Sequence, residues 1–373
     1  MILDKSQLAA LETPCVVLDV GLARRNIEAM QKLADAAGCR LRPHVKTHKM
    51  PLFARMQVEA GAAGITCAKV SEAEVMALGG LEDIFIAYPL VGAFRIRRAL
   101  ELAKKLKRLI LAVDSLAGAE ALNAAAAEAG TRFEVRLEID TGAKRTGVPL
   151  ETAADLALAI SNLKNLELTG IYTFKSLNYQ GKPTEDAELA AREEGDLMEQ
   201  AASAIAGRGI ILKDISGGSS PTGPALLKTG KVNEIRPGTY IFNDLMLCSE
   251  GVASPENVAV RFAATVVSCP RDDYAVIDGG TKCFPTDIAL NTAPFQYTGY
   301  ARIEGKDHLR LDRMNEEHGI IRSVEGKTGL SVGEVITLIP IHVCTAINMQ
   351  NSVYLLENNV LRREKVEARG MLV

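Results

Sequence analysis

The sequence predicts an α/β fold: a (β/α)8 barrel of the TIM type, followed by a mostly antiparallel β domain. Three observations carry this. Short apolar, β-branched runs recur at residues 41–46, 64–69, 83–88, 109–114, 133–140, 166–174, 210–216 and 234–241, with helical periodicity between them. Near-continuous apolar strands alternating with helices imply a parallel sheet covered on both faces, and eight of them match a barrel better than an open sheet. No Gly-x-Gly-x-x-Gly follows the first strand, which weighs against a doubly wound nucleotide-binding sheet. After about residue 245 the texture changes to strand-like runs at 259–269, 274–281, 299–304, 334–343 and 353–361 with little helical pattern. The expected division is therefore a barrel over 14–245 and a β domain over 246–373, which the segment 1–13 can join.

The chain has 373 residues, 47% hydrophobic and 24% charged, a length that suits a barrel plus a smaller domain. Its net charge of -3 gives no electrostatic reason to expect nucleic acid or an anionic membrane as partner. No apolar run is long enough to span a bilayer, and the N-terminus lacks a signal-peptide core. Seven cysteines without a Cys-x-x-Cys pair fit a reducing compartment, so a cytoplasmic protein is expected.

Residues 14–20 read as a short strand, and 22–37 as a helix. Residues 39–46 read as the strand that leads into the richest stretch, Arg42-Pro43-His44-Val45-Lys46-Thr47-His48-Lys49, which holds two of the five histidines. A turn is expected at Thr47 and a helix from Pro51. Lys46 at the C-terminal end of a barrel strand is where barrels place chemistry, and a lysine of lowered pKa can form a Schiff base. Ser71 followed by Glu74 has the spacing of a capping box and predicts a helix start there. Alanine-rich helices are expected at 98–107, 117–129 and 151–162.

The loop after the fifth strand, Asp140-Thr141-Gly142-Ala143-Lys144-Arg145-Thr146-Gly147, sets Arg145 between glycines, where it can approach an oxyanion. Tyr172 lies near the end of the sixth strand, where a core or rim aromatic is the ordinary reading. The loop Ser216-Gly217-Gly218-Ser219-Ser220-Pro221-Thr222-Gly223 offers backbone N–H groups and hydroxyls at the place where barrels often bind phosphate. The eighth unit adds Tyr240. Finally, His342-Val343-Cys344 places an imidazole and a thiol two residues apart; on a strand they share a face and suit zinc.

These motifs, in this order along nearly the whole chain, resemble those of the D-threonine aldolase/D-serine dehydratase family, fold-type III pyridoxal-phosphate enzymes related to the alanine racemase barrel. They are Arg42–Lys49, Lys144-Arg145-Thr146-Gly147-Val148, Ser216-Gly217-Gly218-Ser219, Arg236-Pro237-Gly238-Thr239-Tyr240 and His342-Val343-Cys344. The resemblance implies pyridoxal 5'-phosphate in Schiff-base linkage to Lys46 and Arg145 facing the cofactor's phenolic oxygen. It places Gly217, Gly218 and Ser219, next to Ser216, on the phosphate, with Tyr172 or Tyr240 near the pyridine ring. His342 and Cys344 would hold a divalent metal (zinc, manganese or magnesium) near the substrate's β-hydroxyl. A homodimer acting on a small D-amino acid is implied.

Dehydratases of the family typically carry His-x-Cys at the metal, whereas aldolases often carry His-x-Asp and tend to place a histidine after the sixth strand. Here residues 175–181 contain none. The expected activity is β-elimination of D-serine or D-threonine to a 2-oxo acid and ammonia. Retro-aldol cleavage to glycine and an aldehyde is the alternative, with Lys175 or Tyr179 as base. An amino-acid racemase and a non-catalytic pyridoxal-phosphate-binding protein are the further ones.

Overall fold

The computed structural model describes residues 3–373. They divide into two compact bodies: one of residues 28–46, 50–238 and 371–373, the other of residues 3–27, 47–49 and 239–370.

In the first body, eight parallel strands run in the order Arg40–Leu41, Glu234–Ile235, Asp214–Gly217, Leu166–Tyr172, Phe133–Glu138, Arg108–Val113, Asp83–Pro89 and Ile65–Cys67. The sheet closes where His44 bridges Thr66 in parallel, the Thr66 N–H donating to the Pro43 carbonyl at 2.8 Å. This is the expected barrel. Its helices are alanine-rich because they must lie close to the strands: Leu116–Glu128 buries Ala119, Leu122 and Ala126.

Several expected details differ, among them the strand expected over 234–241, which is only Glu234–Ile235 and gives way to a 3-10 turn at Thr239–Ile241. The strand read over 39–46 is only Arg40–Leu41, followed by a 3-10 turn, Val45–Thr47, because Pro43 has no N–H to give to a ladder. The helix Val70–Leu78 is not opened by Ser71: its entry is held by Glu72, whose carboxylate accepts the Ala68 N–H at 2.6 Å. The Ser71 hydroxyl instead donates to the Val373 carbonyl, and Glu74 pairs with Arg98.

The barrel interior holds an ionic network. Glu234, fully buried, accepts from Arg42 Nε at 2.9 Å, Arg136 Nη1 at 2.5 Å and the Ser216 hydroxyl at 2.7 Å. Arg136 continues to Asp214 at 2.7 Å, Arg40 meets the same carboxylate at 2.5 Å, and Arg42 reaches Asp83 at 2.5 Å. Burial alone would raise the Glu234 pKa, but Arg42 and Arg136 outweigh it and hold the carboxyl far below the usual range. Gly64 makes room for this network, since a Cβ there would lie 2.3 Å from Arg42 Nη1.

The second body is the expected antiparallel domain. Strands Val260–Arg271, Tyr274–Ile277, Gly319–Ser323, Leu309–Met314, Ala301–Ile303 and Val335–Pro340 form a ring, because Val260–Arg271 pairs with both Tyr274–Ile277 and Val335–Pro340. Cys15–Asp19, Ser352–Glu357 and Val360–Lys365 extend the sheet from Val260–Arg271. The strand expected at 14–20 thus pairs antiparallel with Val260–Arg271 and parallel with Ser352–Glu357, not with the barrel. The core is apolar, with Phe262 stacked on Phe284 at 4.2 Å. The last two strands form a hairpin across Asn358-Asn359, both at positive φ, as two-residue hairpin turns require.

Candidate active site

Within the barrel body, Lys46 sits in the 3-10 turn just past the strand Arg40–Leu41, and its N–H donates to His44 Nδ1 at 3.4 Å. Its Nζ lies 5.5 Å from the centre of the Phe174 ring, and the Arg145 guanidinium lies 4.3 Å from the same centre. One ring thus gathers the two cations that the sequence singled out from loops a hundred residues apart. Arg145 is presented by a loop whose shape Asp140 sets: its carboxylate accepts the Gly142 and Lys144 N–H groups at 2.9 and 3.1 Å. Thr146 then donates to Glu138 Oε1 at 2.9 Å.

Tyr172 is buried, its hydroxyl donating to Glu138 Oε2 at 2.8 Å and its ring edge-on to Phe85 at 5.0 Å. That phenol is therefore committed to a carboxylate in the core. Burial, with Tyr172 and Thr146 opposing it, raises the Glu138 pKa. Arg236 lies over the Tyr172 ring and donates to Ser216 Oγ at 2.6 Å.

The glycine-rich turn is built on Glu194, which is fully buried and accepts the Gly218 N–H at 2.8 Å. Gly218 has φ 73°, so the turn depends on glycine there. The Ser219 N–H and hydroxyl both meet Thr222 Oγ1, at 3.1 and 2.9 Å. Two of the amides expected to serve a phosphate are thus engaged within the protein. Ser220 Oγ accepts the Gly238 N–H at 3.2 Å.

In the antiparallel body, His342 and Cys344 come together, but not on a strand. The strand Val335–Pro340 ends first, and His342 is the N-cap of the helix Val343–Met349, with Cys344 in its first turn. Asp244 causes this: its buried carboxylate accepts the Val343 N–H at 3.0 Å and the Leu247 N–H at 3.0 Å, capping two helices at once. His342 Nδ1 is 2.6 Å from Asp287 Oδ2. Cys344 Sγ is met by the Thr47 hydroxyl at 3.2 Å and the Thr239 hydroxyl at 3.4 Å. Burial opposes the His342 charge, yet the Cys344 thiolate and Asp287 carry its pKa up to about 11. Burial likewise opposes the thiolate, and His342 lowers the Cys344 pKa in spite of it. Tyr240 is buried in the turn Thr239–Ile241. Among the described residues no three His, Cys, Asp or Glu side chains form a metal-binding group, so a cation here would complete its shell with water or substrate.

Sequence reasoning missed Asp287, Asp244, Glu138, Glu194 and the paired threonines Thr47 and Thr239. The threonines carried a signal, since each lies inside a quoted motif; Asp287, Asp244 and Glu194 lie far in sequence from the residues they serve.

Among known proteins, residues 18–245 match the model of the alanine racemase N-terminal domain, and residues 259–356 that of a putative serine dehydratase domain. The chain is 35% identical over 351 residues to D-threo-3-hydroxyaspartate dehydratase of Delftia sp. (strain HT23), covering 90% of this chain and 92% of that one. The structure of D-threonine aldolase from Filomicrobium marinum superposes with a TM-score of 0.88 at 28% identity, over 98% of this chain and 97% of that one. A cysteine-to-alanine variant of D-threo-3-hydroxyaspartate dehydratase, in the metal-free form, gives 0.87 at 32% identity over 96% and 98%. Taken with the barrel, the antiparallel domain and the motifs, this places the chain in the D-threonine aldolase/D-serine dehydratase family of fold-type III pyridoxal-phosphate enzymes.

Proposed function

We propose that the protein is a pyridoxal-phosphate- and divalent-metal-dependent dehydratase of D-β-hydroxy-α-amino acids, of the D-serine/D-threonine type. The observation that carries this reading is the pairing of His342 with Cys344 at a site ordered by Asp287, Thr47 and Thr239. In the solved variants of D-threo-3-hydroxyaspartate dehydratase, the replaced histidine and cysteine are likewise two positions apart, and the cysteine variant was solved in the metal-free form.

The residues fit both groups. For the cofactor, Lys46 and Arg145 gather on Phe174, a cationic pair suited to an anionic ring substituent. Its phosphate would lie at the Ser216–Ser219 turn, where Glu194 and Thr222 hold the Gly218 and Ser219 amides and so fix the turn's shape. For the cation, Asp287 on Nδ1 leaves His342 Nε2 as the ligand atom, and Cys344 supplies a thiolate. When bound, the cofactor supplies an electron sink at Cα and the cation a Lewis acid for the β-hydroxyl.

Lys46 Nζ then takes the Cα proton as general base. Loss of the β-hydroxyl as water, followed by hydrolysis of the resulting enamine, yields a 2-oxo acid and ammonia. Retro-aldol cleavage needs instead a base for the β-hydroxyl proton. Lys175 is poorly placed for that: it is buried, ion-paired with Glu193, and donates to the Thr141 carbonyl at 3.0 Å. Tyr179 accepts from the Gln180 side chain at 3.1 Å. A homodimer is part of this reading.

Stripping the purified enzyme of metal with a chelator tests it. The expected result is loss of 2-oxo acid formation with the cofactor's absorbance retained, and recovery on adding zinc or manganese. Full activity in verified metal-free enzyme would refute the reading.

A further inference from the structure

A cavity of about 430 Å³ lies within the antiparallel body, apart from the residues assigned above. Its lining includes Arg302, His308 and Arg310, with Phe295 and Tyr297, whose rings stack at 5.6 Å and 19°. Asp307, exposed on the turn before His308, is the one carboxylate among the lining residues.

The strand register makes the cationic side unusual. Arg302 stands directly opposite Arg310, and Arg310 directly opposite Arg322, so three guanidinium groups cross neighbouring strands in one row. Like charges directly opposite each other destabilise a sheet. Arg322 is relieved by Asp273 at 3.0 Å and Asp312 at 3.4 Å. Arg310 shares Asp312 at 3.6 Å, an ion-pair separation too long for a hydrogen bond, and its buried Nε has no hydrogen-bond partner. Among the described residues, Arg302 has neither an ion pair within 4.0 Å nor a side-chain hydrogen bond. Two half-buried guanidinium groups thus face one cavity with too little negative charge between them, beside an aromatic wall.

We propose that this cavity binds a small organic oxyanion, a carboxylate or a phosphate ester, whose charged group bridges Arg302 and Arg310 while its body lies along Phe295 and Tyr297. Arginine's planar fork suits either acid, and bridging two of them converts an electrostatic cost into charge-assisted hydrogen bonds. The site is independent of the lyase reading.

The test is calorimetric titration of the cofactor-loaded enzyme, whose own phosphate position is filled, with phenyl phosphate, benzoate and inorganic phosphate at constant ionic strength. Saturable binding of phenyl phosphate or benzoate, tighter than inorganic phosphate, is expected, and the tighter of the two identifies the acid. Arg302→Gln should weaken that binding at least about tenfold, as loss of a hydrogen bond to a charged group predicts, and leave basal turnover unchanged. Arg310→Gln should do the same; if it fails to fold, Arg302→Gln alone decides. Absence of saturable binding, or equal binding by Arg302→Gln, would overturn the proposal.

Discussion

The two bodies handle buried charge in opposite ways. In the barrel, carboxylates and guanidinium groups alternate: Glu234 lies between Arg42 and Arg136, and Asp214 between Arg136 and Arg40. In the antiparallel body the acids near His342 crowd one another. Burial, opposed by His342, carries the Asp244 pKa up to about 6; burial and then Asp244 carry Glu250 up to about 8. Glu250 Oε1 accepts from Tyr297 at 3.4 Å, and its other oxygen is buried with no hydrogen-bond partner. A compensated network fixes a scaffold, whereas an excess of buried acid beside an imidazole and a thiol is the environment a divalent cation neutralises.

Lys46→Ala gives the largest expected effect. It should lower turnover by about 10⁴-fold, the upper end of what a general base contributes, and abolish the cofactor's lysine-bound absorbance, with the thermal midpoint little changed. Glu234→Gln sharpens the contrast from the scaffold side. It leaves Arg42 and Arg136 short of a buried counter-charge, and a cost of about 3–5 kcal/mol is expected from urea unfolding. The opposite pattern follows for Asp287→Asn: stability near the parent's, but metal affinity or activity reduced about 10–100-fold, as for other outer partners of a ligating histidine. Metal content after dialysis measures it.

A further prediction concerns pH. Glu250 goes from an ordinary 4.5 to about 8 on folding, so between those values the native state holds a proton that the unfolded chain has released. Stability should therefore fall as pH rises across that window. Glu250→Gln should flatten the fall and be the more stable protein at its upper end; an unchanged slope in thermal midpoint against pH would remove Glu250 from the comparison.

The barrel was legible because period and punctuation act locally: β-branched runs and alanine-rich helices declare themselves within a dozen residues. Lys46 was legible as the end of a strand and Arg145 as a loop residue after one, and the structure brings both to Phe174. His342 and Cys344 were found, but their backbone was misread as strand. The helix start depends on Asp244, about a hundred residues earlier, and nothing in the local pattern carries that. The N-terminal strand at Cys15–Asp19 reads like the others, and only its pairing with Val260–Arg271 shows which sheet it joins. Strands Leu309–Met314 and Gly319–Ser323 escaped because the alternation of the first lasts only over Leu309–Asp312 before a register shift, and the second pairs two adjacent isoleucines.

The most direct measurement is product analysis with D-threonine, using enzyme supplied with pyridoxal phosphate and zinc or manganese. Release of 2-oxobutyrate and ammonia in equal amounts is the predicted result. Glycine and acetaldehyde as the products would contradict the account and assign His342 and Cys344 to aldol cleavage.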